Sequence, residues 1–369
     1  MVRPFHLPAA QTMTLILSND DVEKLLTMRE CIDVLEEAYV ELAEGRGISR
    51  TRSDSVTPTE RSDAVYSLKS MDGVCPKFGI GAIRINSDIV TFPKKGNNIV
   101  REKIPAAPDA RYVGLVLLFS TRNGEPLAIL PDGVMQRMRV GAANGLGVKY
   151  LARKDAETVG ILGSGWQAGA QLMAVCAVRD IKAIRCFSPT KANREAFARE
   201  MSATLGVEVT PVGQPEEAIE GADIIMCASN SLDNIFFERW VAPGIHLSSI
   251  KRPEIEMKAL RRADRIVLHS NDATPIHVTT RDLAFAEKSK ERGWGAVGDL
   301  DFGKLPTLPD LIVGQAEGRQ SEDEVTCFMN NIGLGYQFAA AGSVVYRKAK
   351  EAGAGHELPT EWFTEDVHP

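Results

Sequence analysis

Six residues near the middle of the chain have the types and spacing of a phosphate cradle: Gly163-Ser164-Gly165-Trp166-Gln167-Ala168, a G-x-G-x-x-A pattern. In such a turn the first glycine permits a tight bend and the second lets the backbone approach a pyrophosphate. The alanine allows the outgoing helix to pack closely on the sheet. The helix N-terminus then offers free N–H groups and the positive end of its dipole to the phosphates. The pattern gains weight from its surroundings. Residues 158–162 read as a strand entering the turn, 168–178 as a helix leaving it, and a second strand begins about twenty residues later. The competing reading is a glycine-rich turn in an α/β protein that binds no nucleotide.

The tip of the second strand selects the cofactor. A carboxylate there grips the ribose 2′-hydroxyl of NAD. This chain reads Cys186-Phe187-Ser188-Pro189-Thr190-Lys191, with no acid. Ser188 and Thr190 supply hydroxyl donors, and Lys191 and Arg194 add positive charge that suits an additional phosphate. The expected cofactor is NADP(H) in preference to NAD(H). On the other reading, Lys191 and Arg194 form a solvated helix start.

Positioning such a turn requires a sheet, and the pattern supplies one. Short β-branched runs at 158–162, 183–188, 208–212, 223–227, 246–250 and 265–269 alternate with helical stretches, which predicts a parallel α/β sheet. Upstream the style differs. Thr27 and Glu30 form a capping box, followed by Ile32, Leu35, Tyr39 and Leu42 at helical spacing, with Gly45 as a stop. Apolar runs follow at 64–68, 78–85 and 112–119, and Asn123-Gly124 between 114–121 and 126–130 signals a hairpin. Residues up to about 130 therefore predict α+β structure with an antiparallel sheet. Residues 134–152 read as a helix containing Gly141, Gly145 and Gly147, which weaken a regular helix or mark close helix packing. Residues 322–350 read as one helical segment, and the tail from Gly353 as irregular.

The bulk properties exclude several classes. The 369 residues, 44% hydrophobic and 25% charged with a net charge of −6, suit a soluble globular protein with room for two domains. No basic stripe is interleaved with aromatics, so no nucleic acid is expected. No apolar run reaches the length of a membrane span, and the first twelve residues lack a signal-peptide core; a cytoplasmic location is expected. Cys31, Cys75, Cys176, Cys186, Cys227 and Cys327 form no C-x-x-C pair and read as small core hydrophobes. Cys75, beside Pro76, is the one candidate reactive thiol. No histidine has zinc-ligand spacing, so no metal is expected.

Arg139-Val140-Gly141-Ala142-Ala143, followed about twenty residues later by the glycine turn, resembles the ornithine cyclodeaminase/mu-crystallin family, whose pattern is R-T-(A/G)-A and then G-x-G-x-Q-A. The resemblance runs from about residue 15 to about residue 350, with support at 240–244, Gly318-Arg319 and 326–333. It implies a homodimer. It implies a Rossmann-type dinucleotide-binding domain, here 139–323, inserted in an α+β substrate-binding and dimerisation domain, here 1–138 plus 324–369. It also implies hydride transfer between a nicotinamide and the α-carbon of an amino or imino acid.

The resemblance also assigns residues. Arg52 takes the place of a substrate-carboxylate arginine, with Thr51 for the usual proline. Lys69 matches an active-site lysine, Arg84 stands where a second lysine is found, and Arg139 matches a carboxylate-binding arginine. Four cations from separate segments would converge, with Lys69 and Arg139 as the catalytic pair. Arginine suits bidentate carboxylate binding, and a lysine beside other cations would have a lowered pKa and could shuttle a proton. Ser229 and Asn331 join the expected cofactor contacts, Asn330-Asn331 standing where many members have a serine near the nicotinamide. Two features depart from the family. Val140 replaces a threonine, and the stretch 248–256 lacks the aspartate of cyclodeaminases, Glu256 alone matching the end of their pattern. Lys251 and Arg252 there would suit a more anionic substrate if they face the cleft. The expected function is an NAD(P)H-dependent oxidoreductase acting on the C–N/C=N bond of a small anionic amino or imino acid or cyclic ketimine. The alternatives are an ornithine cyclodeaminase-like lyase, and a non-catalytic NADPH-binding protein or subunit of an amine-oxidising complex.

Overall fold

The computed structural model describes residues 12–95, 98–99, 102–231, 233–251, 254–271, 276–280 and 300–367. Two large sheets organise them. The strands of the first are β1 (Met13–Ile16), β2 (Ile48–Ser49), β3 (Ser53–Pro58), β4 (Ala64–Cys75) and β5 (Ile80–Thr91). After a small ribbon of β6 (Lys94–Lys95) and β7 (Asn98–Ile99) come β8 (Glu102–Ile104), β9 (Val113–Ser120) and β10 (Pro126–Pro131). The second sheet holds β11 (Thr158–Leu162), β12 (Ala183–Phe187), β13 (Val209–Pro211), β14 (Ile224–Cys227), β15 (His246–Ser249), β16 (Arg265–Leu268) and, after β17 (Ile276–Thr279), β18 (Thr326–Met329). A last strand, β19 (His356–Pro359), returns to the first sheet.

The first sheet runs β17-β3-β4-β5-β9-β10-β1-β19, with β2 beside β4 and β8 beside β5. It is antiparallel except at β1–β10 and β3–β17. Its long strand β5 alternates strictly, with Ile80, Ala82, Arg84, Asn86, Asp88 and Val90 all buried on one face. That face packs under the C-terminal helix Gly335–Ala352, where a Cβ on Gly342 would lie 2.7 Å from Leu118 Cδ2. The second sheet runs β13-β12-β11-β14-β15-β18-β16 and is parallel throughout.

Helices α1 (Asn19–Leu25) and α2 (Met28–Ala43) follow β1. The capping box of α2 forms as its sequence predicts, with Thr27 Oγ1 accepting from Glu30 N at 3.3 Å and the Glu30 carboxylate accepting from Thr27 N at 3.1 Å. Helix α3 (Gly133–Leu151) leaves β10 and enters β11, so one unbroken helix joins the two sheets. Its glycines mark close packing. A Cβ on Gly141 would lie 2.6 Å from the Ala170 carbonyl oxygen, and one on Gly147 would lie 2.5 Å from the Phe328 ring. The partner across Gly141 is α4 (Trp166–Val178), and α5 (Lys191–Leu205) follows β12.

The six expected strands of the second sheet form within one or two residues of their expected limits. Two expectations of secondary structure fail. Residues 322–350 are not one helix: Thr326–Met329 are fully buried and hydrogen-bond to β15 and β16 on either side. A short apolar run with no polar face fits a buried strand as well as a helix, and only its neighbours decide. The second sheet therefore extends past the expected limit at 323. The tail is not irregular either, because residues 356–359 pair antiparallel with β1. Pro359 is tolerated there at the end of an edge strand. Cys75 ends β4 fully buried, 3.0 Å from the Tyr336 hydroxyl, and burial pushes its thiol pKa up; it has none of the exposure a reactive thiol needs.

Candidate active site

The glycine turn lies at the carboxyl end of β11, between β12 and β14, where the strand order reverses. In open α/β sheets this is where a crevice forms. Gly163 has φ +136°, and a Cβ there would lie 2.0 Å from the carbonyl oxygen of Ala228 at the end of β14. Only glycine fits. Gly165 is the N-cap of α4 and has open space where a Cβ would stand, which leaves the first N–H groups of the helix accessible to an anion. Ala168 is fully buried beneath.

A cavity of about 860 Å³ opens over this turn, lined by Gly163, Ser164, Gly165, Trp166, Gln167, Ser188, Thr190 and Ser229, and also by Asn193, Phe237 and Trp240. Ser164 Oγ donates to Ser188 Oγ at 2.8 Å, tying the turn to the tip of β12. Ser229 donates through N and Oγ to the Glu254 carboxylate at 2.6 and 2.9 Å. Burial pushes the Glu254 pKa up in spite of these bonds. Volume, glycine geometry and open helix N-terminus together fit a dinucleotide.

Three expected cofactor residues stand elsewhere. Lys191 reaches outward to Glu195 at 3.7 Å and is largely exposed. Arg194 Nη1 folds back to donate to the Ser188 carbonyl at 3.1 Å. Neither lines the cavity. The Asn331 carboxamide accepts from His269 N at 3.1 Å and donates to the Ser270 carbonyl at 2.7 Å, so it fastens the end of β16. Of the two cations at 251–252, Lys251 is half-buried and burial pushes its pKa down, while Arg252 lies outside the described residues. Glu256 accepts from Glu238 N at 2.8 Å.

The four cations lie along one strip built on β3, β4, β5 and α3. Asp54, Lys69 and Asn86 are cross-strand neighbours on adjacent strands and are buried on the face that β5 shares with the C-terminal helix. Arg52 grips Asp54 bidentately at 2.8 and 2.9 Å. Lys69 Nζ donates to Asp88 Oδ2 at 3.0 Å, and Lys103 Nζ reaches Asp88 Oδ1 at 2.9 Å. Burial would raise the Asp88 pKa, but the two lysines outweigh it and hold it below the usual range. Asp132 Oδ2 accepts from Arg84 Nε at 2.6 Å and from Asn86 Nδ2 at 3.0 Å, while Arg84 Nη2 donates to Gln136 Oε1 at 2.7 Å.

Arg139 differs from the others. It is buried, lies over the Phe338 ring at 5.1 Å, and donates from Nη1 to Gln337 Oε1 at 2.9 Å. Among the described residues its Nε is buried without a hydrogen-bond partner. Burial and nearby Arg84 push its pKa down to about 10. Gly333 makes room for it, since a Cβ there would lie 2.3 Å from Nη1.

The sequence pictured cations facing one another. Instead three carboxylates, Asp54, Asp88 and Asp132, are interleaved among them. Among the described residues, Arg52 pairs with Asp54, Lys69 and Lys103 share Asp88, and Arg84 pairs with Asp132, while Arg139 is held by Gln337 alone, so five cations stand with three carboxylates and suit an anionic ligand. Sequence patterning alone does not single out the carboxylates or Lys103, although β5 carries a signal. Arg84, Asn86 and Asp88 follow one another at period two in the same register as Ile80, Ala82 and Val90, and charges on a core-facing register need a reason.

The model of the ornithine cyclodeaminase/mu-crystallin family matches residues 98–353. A Δ1-pyrroline-2-carboxylate reductase of Bacillus cereus is 28% identical over 349 residues, covering 93% of this chain and 99% of its own length. An alanine dehydrogenase of Archaeoglobus fulgidus is 26% identical, covering 94% and 98%. Among solved structures, the Δ1-pyrroline-2-carboxylate reductase of Thermococcus litoralis, in complex with NADH and L-proline, aligns with a TM-score of 0.75 and 27% identity, covering 94% of this chain and all of that one.

Proposed function

This chain belongs to the ornithine cyclodeaminase/mu-crystallin family, and from that premise we propose that it is an NAD(P)H-dependent oxidoreductase. It reduces the C=N bond of a small imino acid or cyclic ketimine, or oxidises the C–N bond of the corresponding amino acid. The observation that carries the reading is the largely buried, cation-rich strip from Arg52 to Arg139, which ends on α3, the helix whose Arg137 stacks on Trp166 in the wall of the cleft.

The turn at 163–168 and the N-terminus of α4 would hold the pyrophosphate, and Ser188 and Thr190 the adenosine ribose. A dinucleotide held there would supply or accept the hydride at the substrate carbon. Arg139 and Arg52 bind the substrate carboxylate, with Arg84 holding Asp132 in place beside them. Lys69 delivers the proton to the imine nitrogen and is recharged along Asp88 and Lys103; the Lys103 side chain is 36% exposed and the Asp88 side chain 1%. The absence of an acid at the tip of β12 supports NADP(H) over NAD(H).

Purified protein offered Δ1-pyrroline-2-carboxylate, and imines formed from a keto acid with an amine, is expected to consume NADPH, and to do so faster than NADH at equal concentration. Tight NADPH binding with no turnover on any imine would move the reading to a binding protein. Faster turnover with NADH would overturn the cofactor preference alone.

The reading includes a homodimer. The face of the first sheet opposite the charged strip carries two cross-strand rows: Val278, Ser55, Leu68, Ser87 and Val113, and Ile276, Ser53, Ser70, Ile85 and Leu115. Leu68, Val113, Leu115, Ile276 and Val278 are exposed in the single chain. A contiguous apolar and hydroxyl face of this kind supports association. A monomeric mass by light scattering at micromolar concentration would remove it.

A further inference from the structure

Two residues before Arg139, α3 carries a second arginine whose surroundings the reaction described above does not use. The Arg137 guanidinium lies face-on over the Trp166 indole, 3.8 Å from the ring centroid, so a side chain from outside the glycine turn is stacked on a residue of that turn. Arg137 makes no ion pair among the described residues, and its Nε is buried without a hydrogen-bond partner. Burial pushes its pKa down, against Glu200 and Glu23, neither of which pairs with it. Room is made for it on the neighbouring helix, since a Cβ on Gly169 would lie 2.7 Å from Arg137 Nη2. Glycine inside a helix is less favourable than alanine, and here it is placed where the guanidinium needs the space.

The guanidinium borders a cavity of about 260 Å³ that also touches Ser164, Gly165, Trp166, Asn193 and Glu200. Ser164, Gly165, Trp166 and Asn193 line the dinucleotide cleft as well, so the smaller cavity is a side pocket of the larger one. It branches off at the tip of β12, because Ser164 is bonded to Ser188 there and Asn193 stands in the first turn of α5. In this architecture the tip of the second strand is where the adenosine ribose lies. The two cations that the sequence assigned to a phosphate at this point, Lys191 and Arg194, are turned to Glu195 and to the Ser188 carbonyl. Arg137 is directed into the side pocket with donors to spare, and a planar guanidinium already stacked on an aromatic face is preorganised for a phosphate.

We infer that Arg137, held on Trp166 over Gly169, is the specificity-determining residue that receives the 2′-phosphate of NADP(H) in the side pocket between α4 and α5. The inference rests on the NADP(H) reading above. It explains how a strand tip without an acid gains a cation that its own segment does not direct there.

The test is a pair of binding titrations, NADPH and NADH, on wild type, Arg137→Met and Arg137→Lys, with thermal unfolding of each apo protein alongside. NADPH affinity is expected to fall about 10- to 100-fold in Arg137→Met, the size of a lost charge-assisted hydrogen bond, with NADH affinity unchanged and Arg137→Lys recovering part of the loss. Three results would overturn the inference. Equal losses for both dinucleotides would place Arg137 in support of the turn, and unchanged NADPH affinity would remove it from the site. A wild type that binds NADH as tightly as NADPH would take the cofactor reading down first and this inference with it. Should Arg137→Met unfold, Arg137→Lys carries the test alone: a selective loss of NADPH affinity supports the assignment, and full retention or an equal loss of both opposes it.

Discussion

Lys69→Met is expected to lower kcat for imine reduction by about 100- to 10,000-fold, the range of a lost positioned acid, while dinucleotide affinity stays as in wild type. The geometry separates these effects. Lys69 Nζ sits 3.0 Å from Asp88, whose other oxygen is held by Lys103 at 2.9 Å. Removing Lys69 leaves Asp88 paired, so the fold is spared the penalty of a stranded buried carboxylate. Methionine also keeps most of the aliphatic stem in place. The turn and cavity assigned to the cofactor lie on the other sheet. Lys69→Arg sharpens the test, because a guanidinium keeps the pairing with Asp88 but does not release a proton near neutral pH. A fully active Lys69→Arg enzyme would show that charge alone matters there, and wild-type kcat in Lys69→Met would remove Lys69 from the chemistry.

The contrast between the two halves of the site shows what a sequence displays and what it hides. The cleft proposed for the dinucleotide is built from contiguous segments. Gly163 and Gly165 stand two residues apart, the strand and helix around them follow local rules, and even the tip of β12 is a single run of residues. Local patterning is enough to find it. The charged strip is assembled by register. Asp54, Lys69 and Asn86 meet because β3, β4 and β5 pair as they do, and a shift of one residue would turn each to the opposite face. The cations were found through resemblance, but their partners came from separate segments and had no local signature. The same reasoning explains Lys191 and Arg194. Their charge is readable from the sequence, whereas the direction of a long side chain depends on what it meets, here Glu195 and the Ser188 carbonyl. Thr326–Met329 is the complementary case, a local pattern too short and too apolar to choose between periods until the adjacent strands are known.

Arg139→Met separates stability from activity most cleanly. A buried guanidinium with one side-chain acceptor and no carboxylate partner costs a fold several kcal/mol in desolvation. Among the described residues Arg139 is in that state: its Nη1 is on Gln337, its Nε is unpaired, Arg84 is near, and burial and Arg84 push its pKa down to about 10. It still carries a proton at neutral pH. Methionine would fill much of the same space beside Phe338 and Gly333 without a charge to bury, and Gln337 Oε1 keeps its bond from Leu334 N at 3.1 Å. The apo variant is therefore expected to unfold at the wild-type temperature or above it. Its kcat/KM on a carboxylated imine is expected to fall by roughly 2–4 kcal/mol of transition-state stabilisation, the scale of a lost charged hydrogen bond in a dry site. Stability gained where function is lost is what a strained binding group predicts. The opposite pattern, a lower unfolding temperature with kcat/KM intact, would make Arg139 a structural residue and leave Arg52 as the arginine that holds the substrate carboxylate.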